Sequence, residues 1–182
     1  LHLITEARKN SEALHLFVVS EDESAFPTKI RKEIVTKATA HLDHVYIHDT
    51  AHYLVSSATF PSYFLKDSDE VTLVQAKLDA LIFKNYIAKA LNIGHRYVGE
   101  EPFSPQTHLY NHAMQEVFAT EPSISLHIIK RLSIDDEIIS ATKVRSLLAQ
   151  GKIDEVRKFV PDQTYEFLVS DEGSRIIEKI DV

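Results

Sequence analysis

The 182-residue chain contains no cysteine and only four glycines, at positions 94, 99, 151 and 173. The lack of cysteine excludes disulfides, thiolate catalysis and cysteine-ligated metal sites within this chain. The four glycines form neither a P-loop nor a GxGxxG fingerprint. A triphosphate would therefore have to be held by helix N-termini and side chains instead of a glycine-rich loop.

Long apolar runs and an excess of positive charge are also missing. No apolar stretch approaches the roughly 20 residues of a membrane-spanning helix, and no signal peptide is visible, so we expect a cytoplasmic protein with no membrane partner. The formal net charge of −7 disfavours a nucleic-acid partner. The chain begins at Leu1 and its single methionine is Met114, so we expect it to be a fragment.

Short apolar runs alternate with amphipathic helical patterns between Leu1 and Ile129. This alternation predicts an α/β fold with a parallel sheet and helices on both faces. Only helical patterns follow in residues 140–182, and no Gly/Ser-rich linker divides the chain, so we expect one domain over residues 1–182. The predicted strands are Ala13–Val19, Val45–His48, Arg96–Gly99 and Ser125–Ile129. Ligands bind outside the carboxyl ends of such strands, here residues 20–24, 49–60, 100–105 and 130–140.

The longest helical pattern covers residues 69–91, with Asp69 as the expected N-cap and Asn92–Gly94 as its end. Apolar residues recur along it at helical spacing, which predicts one buried stripe. The members of this stripe are Val71, Val74, Leu78, Leu81, Ile82, Ile87 and Ala88.

The segment Ile139–Arg145 reads ISATKVR and opens a predicted helix that stops at Gly151. Backbone amides and the helix dipole favour an anion at such a helix start. Lys143 adds a point charge and Arg145 a planar guanidinium, so the segment is a candidate phosphate site. In the alternative interpretation, Ser140 is only an N-cap and the two cations are only a solvated face.

Three other groups of residues are candidates with simpler alternatives. Glu100 and Glu101 end a predicted strand and could bind a ribose hydroxyl or Mg²⁺, or could form only an acidic loop. The small residues Ser57, Ala58 and Thr59 could face a ligand or form a turn. Four histidines have loose metal-site spacing but no acidic residue at a fixed position, so we expect surface histidines and no metal site. These histidines are His41, His44, His48 and His52.

ISATKVR resembles the ISSTxxR signature of the HxGH nucleotidyltransferase superfamily, which includes the pantetheine-phosphate and nicotinamide-mononucleotide adenylyltransferases. Further blocks, in order along essentially the whole chain, are similar to the citrate lyase ligase family, formally the [citrate (pro-3S)-lyase] ligases. The blocks are Leu14–Asp22, Ser56–Lys66, Arg96–Pro105, Tyr110–Asn111 and Met114–Val117. This resemblance implies a Rossmann-like parallel sheet of the HxGH type with C-terminal helices.

The resemblance also implies an acid–thiol ligase reaction. Enzymes of this family use ATP and acetate to acetylate the thiol of a phosphoribosyl-dephospho-coenzyme A group, and they release AMP and pyrophosphate. The thiol belongs to the acyl carrier subunit of citrate lyase, which agrees with the lack of cysteine here. ATP and Mg²⁺ are the implied cofactors, and the carrier subunit and acetate are the implied partners.

Residue roles are implied by matched positions. Ser140, Thr142 and Arg145 are expected to bind the β- and γ-phosphates, and Thr142 and Arg145 to stabilise the leaving pyrophosphate as catalytic residues. Lys143 and Arg31 are expected as additional phosphate contacts. The remaining expectations are that Glu100 lies by the adenosine, and that acetate or the pantetheine arm binds to Ser57, Ala58, Thr59 and Lys66.

The sequence departs from the superfamily in lacking the HxGH motif. In the family, a stretch like NPFTxGH precedes a helix similar to Leu3–Ala7, so the motif would end just before Leu1. His2 is not its equivalent, and an acetyltransferase-like domain common further upstream is also absent. We therefore expect little or no ligase activity from this chain alone, and AMP formation from ATP and acetate by it would contradict this.

Two alternatives stay open. The protein could be another adenylyltransferase of the superfamily that transfers AMP to a phosphorylated small molecule. It could also be a non-catalytic module that binds a nucleotide or docks a carrier protein.

Overall fold

The computed structural model describes residues 1–20, 25–63, 68–100, 104–134 and 137–180. Its architecture is mixed α/β, with short strand pairs and several helices, and is compatible with a Rossmann-like nucleotidyltransferase fold. The strands are β1 (Leu14–Val18), β2 (Val45–Asp49), β3 (His95–Gly99), β4 (Ser125–Ile129), β5 (Ser133–Ile134) and β6 (Glu137–Ile138).

Helices fill most of the remaining chain. They are α1 (His2–Lys9), α2 (Thr28–Thr39), α3 (Asp69–Ile82), α4 (Pro105–Phe118), α5 (Ala141–Ala149), α6 (Ile153–Val156), α7 (Asp162–Leu168) and α8 (Asp171–Ile177). A 3₁₀ helix covers Pro61–Tyr63, and a π-helix over Phe83–Ala88 continues α3. None of the helices in the described ranges is both long and apolar enough to cross a membrane.

The four predicted strands are confirmed to within one or two residues. β1 pairs with β2, and β3 pairs with β4 in parallel, with His95 opposite Ser125 and Gly99 opposite Ile129. β5 and β6 form a short antiparallel pair that the sequence did not indicate. Strands of two residues are too short to display a period of two, so no pattern could identify them.

The chain divides into two compact units. The first comprises Leu1–Val18, Asp22–Ile47 and Arg131–Val182, and the second comprises Val19–Glu21 and His48–Lys130. In the first unit, a buried apolar cluster joins α5, α6 and α7. Its members are Leu147, Leu148, Val156, Phe159 and Leu168.

The second unit is built on the packing of α3 against α4. Ala76 and Ala80 of α3 and Ala113 of α4 are fully buried. Small side chains let two helices approach closely, since interaxial distances depend on the residues at the contact. Ring contacts complete the packing, Phe83 with Phe118 and Phe60 with Tyr110.

The buried stripe predicted for α3 is wrong in its first four members. Val71, Val74, Leu78 and Leu81 are 38, 68, 50 and 42% exposed. The buried face carries instead Thr72, Ala76, Asp79 and Ala80. Helical periodicity predicted that the most hydrophobic residues of α3 would be buried. The face that packs against α4 instead carries small side chains and one hydrogen-bonded carboxylate. The N-cap is Ser68 and not Asp69, because the Ser68 hydroxyl accepts the Val71 N–H at 3.4 Å.

The π-helix positions a buried lysine at the end of α4. Lys84 is only 4% exposed, and its Nζ donates to the carbonyl oxygens of Val117 (2.8 Å) and Thr120 (2.6 Å) and to the Thr120 hydroxyl (2.7 Å). Three acceptors use all three ammonium protons, which offsets the cost of removing the charge from water. The charge also lies where a helix C-terminus favours a cation.

Gly173 lies where α8 begins against the end of α7. A Cβ at this position would overlap the carbonyl oxygen of Phe167 and lie 2.9 Å from the Cα of Leu168. Both neighbours are backbone atoms, so neither can move aside by a rotamer change.

We predict that Gly173→Ala lowers the free energy of unfolding by about 2 kcal/mol or more, because overpacking against backbone forces a main-chain shift. Gly94→Ala is the control, since a Cβ there meets no atom within 4 Å, and its effect should stay within about 0.5 kcal/mol. Urea unfolding of both variants measures the difference. Equal stability of the two would contradict the close approach of α8 to α7.

Candidate functional site

The ISATKVR segment forms a capped helix start. Ser140 has an extended backbone (φ −138°, ψ 153°), and its hydroxyl accepts the Lys143 N–H at 3.1 Å. The Ser140 carbonyl accepts the Val144 N–H at 3.2 Å, which starts the helix. Ser140 is therefore confirmed as the N-cap of α5. It leaves room for an anion, since the amides of Ala141 and Thr142 have no acceptor within the helix.

Two polar side chains share the solvent-facing side of the first turn of α5. Thr142 and Arg145 are both exposed, and Arg145 Nη2 lies 3.4 Å from Thr142 Oγ1. Residues at i and i+3 are neighbours on a helix surface, so one ligand can contact both. Lys143, on the adjacent position, is half-buried. The predicted phosphate ligands are thus brought together on one turn.

Packing on both sides fixes the direction of this turn. Leu147 and Leu148 anchor α5 in the buried cluster of the first unit. Before the helix, Ile139 donates its N–H to the Leu132 carbonyl at 3.0 Å, and its carbonyl accepts from Arg131 Nη1 at 3.4 Å. The groups that hold the helix start in place are therefore different from the groups that are predicted to contact a phosphate.

A cavity of about 400 Å³ lies beside α5 within the first unit. Apolar side chains dominate its wall, and Val144 and Leu148 are the contributions from α5. Arg31 of α2 also lines it. Its Nε donates to the Phe26 carbonyl (2.9 Å) and its Nη2 to the Thr28 hydroxyl (2.8 Å). Arg31 therefore stabilises the start of α2 and, in addition, borders the same cavity as α5.

The predicted substrate residues Ser57, Ala58 and Thr59 lie in the second unit. Ser57 and Ala58 are exposed, whereas Thr59 is half-buried and donates its hydroxyl to Asp79 Oδ1 at 3.0 Å. The fully buried Ser56 adds a hydroxyl contact to Thr59 at 3.1 Å. Hydrogen bonds from buried groups hold these residues in a turn, and Ser57 and Ala58 lie on its exposed side.

Sequence reasoning missed Asp79, which holds this turn. The side chain is fully buried. One carboxylate oxygen accepts the Val55 N–H at 2.7 Å, and the other accepts the Tyr110 hydroxyl at 2.7 Å. Val55 has φ +46°, which is strained for a β-branched residue. The signal in the sequence was an acidic residue among the apolar residues of α3. A carboxylate that is buried in such a position requires hydrogen-bond donors.

The other candidates are placed as follows. Glu100 is exposed at the end of β3, and its N–H donates to the Ile129 carbonyl at 2.8 Å. Lys66 and Glu101 lie outside the described residues. His41, His44 and His52 are exposed and His48 is half-buried. Across the described part of the chain, no three His, Asp or Glu side chains are grouped so that they could hold a metal.

Comparisons with known proteins cover most of the chain. Residues 1–168 match the family described as citrate lyase ligase C-terminal domain. The chain is 38% identical over 171 residues to the [Citrate [pro-3S]-lyase] ligase of Escherichia coli (strain K12), a match of 92% of this chain and 49% of that protein. The proteins of the same name from Klebsiella pneumoniae and Haemophilus influenzae are 35 and 36% identical, each over 92% of this chain and over 50 and 51% of their own length. The chain therefore spans about half the length of the curated relatives it matches.

We predict that Asp79→Asn lowers the free energy of unfolding by about 1–3 kcal/mol, because an amide nitrogen cannot accept and leaves one buried donor unpaired. Asp69→Asn is the matched control, since Asp69 is exposed on the same helix. Urea unfolding measures stability, and hydrogen exchange of the Val55 amide reports on the turn. Equal stability of the two variants would show that Asp79 does not hold residues 55–59.

Proposed function

The chain belongs to the citrate lyase ligase C-terminal domain family, and on that premise we propose that it carries the ATP-dependent step of a [citrate (pro-3S)-lyase] ligase. The substrates are ATP, acetate and a thiol on the acyl carrier subunit of citrate lyase. The products are AMP, pyrophosphate and the acetylated carrier.

The observation that carries this proposal is the start of α5. Its capped N-terminus presents the amides of Ala141 and Thr142, and the Thr142 hydroxyl and the Arg145 guanidinium lie side by side on the same turn. A phosphate chain is a suitable ligand for such a group, because amides and the helix dipole favour an anion and a guanidinium binds two oxygens at once.

The proposed reaction has two steps. An acetate oxygen attacks the α-phosphorus of ATP, the bond from that phosphorus to the bridging oxygen breaks, and pyrophosphate leaves from acetyl adenylate. The carrier thiolate then attacks the acetyl carbon, and AMP leaves with the electrons of the broken carbon–oxygen bond. The sequence has no cysteine, so no residue of this chain forms a thioester in place of the carrier.

Charge stabilisation is the proposed task of α5. The leaving pyrophosphate gains negative charge as its bond to the α-phosphorus breaks, and donors that are already oriented lower the barrier. Ser140, Thr142 and Arg145 are the proposed donors. Lys143 and Arg31 are proposed as additional phosphate contacts. The proposed adenosine contact is Glu100, and the proposed acetate or pantetheine contacts are Ser57, Ala58, Thr59 and Lys66.

Mg²⁺ is compatible with these residues. In ATP-using sites this ion keeps several waters and is held by one or two carboxylates plus the substrate phosphates. We therefore propose the ATP phosphates and water as its main ligands, and we assign no protein ligand to it among the described residues. The bound ion would supply additional neutralisation of phosphate charge.

The reaction is tested on the full-length protein by measuring pyrophosphate release from ATP. We expect release that requires acetate, and transfer of the acetyl group to the carrier subunit. Release that instead requires a phosphorylated small molecule would identify a different adenylyltransferase. Tight binding of ATP without turnover would identify a non-catalytic module, and either result would contradict the ligase proposal.

We predict that Arg145→Ala lowers kcat for pyrophosphate release about 100-fold, as is typical when one transition-state donor is removed. Arg145→Lys should recover little of the loss, because an ammonium cannot bind two oxygens in the same plane. Arg175→Ala is the control, since Arg175 is an exposed arginine in the last turn of α8. An Arg145→Ala enzyme with unchanged kcat would exclude Arg145 from the phosphate site.

A further inference from the structure

One face of α3 presents apolar side chains to solvent. Val74 is 68% exposed, Leu78 50% and Leu81 42%, and Val71 lies one turn earlier at 38%. Their spacing of three and four residues places them in a single row. Tyr86, 72% exposed, follows on the π-helix that continues α3. We call the set Val71, Val74, Leu78, Leu81 and Tyr86 the α3 stripe.

The exposed apolar residues of the α3 stripe are contiguous, whereas exposed apolar residues on most protein surfaces are scattered. Single apolar residues on a surface need no explanation, but a contiguous row marks an interaction surface. The opposite face of the same helix is already packed against α4. Burial of the α3 stripe therefore requires a surface other than the described residues of one copy of this chain.

A polar edge borders the α3 stripe on the side of α4. Lys77 Nζ lies 2.6 Å from Glu116 Oε2, and this hydrogen bond from Lys77 lowers the pKa of Glu116 below its ordinary value. Both groups are 40% exposed or more. A charged edge beside an apolar row is the usual arrangement of a protein interface, with its polar rim.

Charged residues of opposite sign lie at the two ends of the α3 stripe. Asp69 and Glu70 are exposed at its N-terminal end, and Lys89 is exposed at its C-terminal end. Counted in residue numbers, Glu70 and Lys89 have the same midpoint as Leu78 and Leu81. Two such helices in antiparallel orientation would therefore place Glu70 opposite Lys89 twice, and Leu78 opposite Leu81 twice.

Only one orientation has this complementarity. A parallel pair would bring Glu70 to Glu70 and Lys89 to Lys89, whereas the antiparallel pair brings opposite charges together and also aligns the helix dipoles favourably. A two-fold interface uses the same patch on both copies and must be self-complementary. A strongly acidic or strongly basic partner would meet like charge at one end.

We propose that the α3 stripe is the contact between two copies of this protein, which associate with two-fold symmetry through antiparallel α3 helices. Leu78 and Leu81 form its centre, and the pairs of Glu70 with Lys89 set its register. The contact does not depend on ATP or on the residues of α5.

The test is the mass of the full-length protein in solution, measured by sedimentation over a range of concentrations. We expect a dimer, and we expect Leu78→Lys to weaken association at least roughly tenfold, because it introduces a charge at the centre of the interface. Leu132→Lys is the matched control, since Leu132 is a leucine of similar exposure (45%) outside the α3 stripe. A monomer at all concentrations, or equal effects of the two variants, would overturn the proposal.

Charge exchange tests the orientation. Glu70→Lys should weaken the dimer, because it faces Lys89 of the second copy, and the double variant Glu70→Lys with Lys89→Glu should restore it. Unfolding measurements on each variant separate association from stability. If the double variant is no tighter than Glu70→Lys alone, the proposed antiparallel pairing of α3 is wrong.

Discussion

The second unit depends on one buried carboxylate. Asp79 is fully removed from solvent, and an ion in that position is tolerated only when donors replace its lost hydration. Its donors come from two directions, the Val55 N–H and Thr59 hydroxyl on one turn and the Tyr110 hydroxyl on α4. The carboxylate therefore fixes that turn and α4 to the same point of α3. It also maintains the strained backbone of Val55, which no local preference of valine would favour.

The start of α5 has a structural role that is compatible with the proposed catalytic one. The Ser140 hydroxyl accepts the Lys143 N–H as the N-cap, and its own proton is still available for a phosphate oxygen. Leu147 and Leu148 anchor the helix from the other side. Donors held in this way are oriented before any ligand binds, as electrostatic stabilisation of a transition state requires. In the proposed function, a helix start of this kind takes the place of a glycine-rich loop, which a chain with four glycines does not have.

Local signals in the sequence predicted local structure well. The apolar runs at β1 to β4, the N-cap at Ser140 and the end of α5 before Gly151 depend on residues close in the chain, and the structure has these features where they were predicted. The α3 stripe shows where such signals fail. Its period correctly indicated a helix, but which face is buried was decided by α4, a separate segment that accepts Ala76 and Ala80 and excludes Leu78. The same holds for Lys84, whose burial depends on three acceptors at the end of α4.

The sequence by itself determined the α/β class, the positions of the main strands and helices, the family, and the ISATKVR helix start as the candidate phosphate site. These follow from periodicity, capping chemistry and motif order, which are properties of neighbouring residues. The tertiary structure decided that Asp79 is an internal ligand of the 55–59 turn, that Gly173 must be glycine, and that α3 presents leucines to solvent. Each of these features depends on which segment, distant in the chain, packs against the residue in the fold. The pattern of neighbouring residues contains no information about that contact.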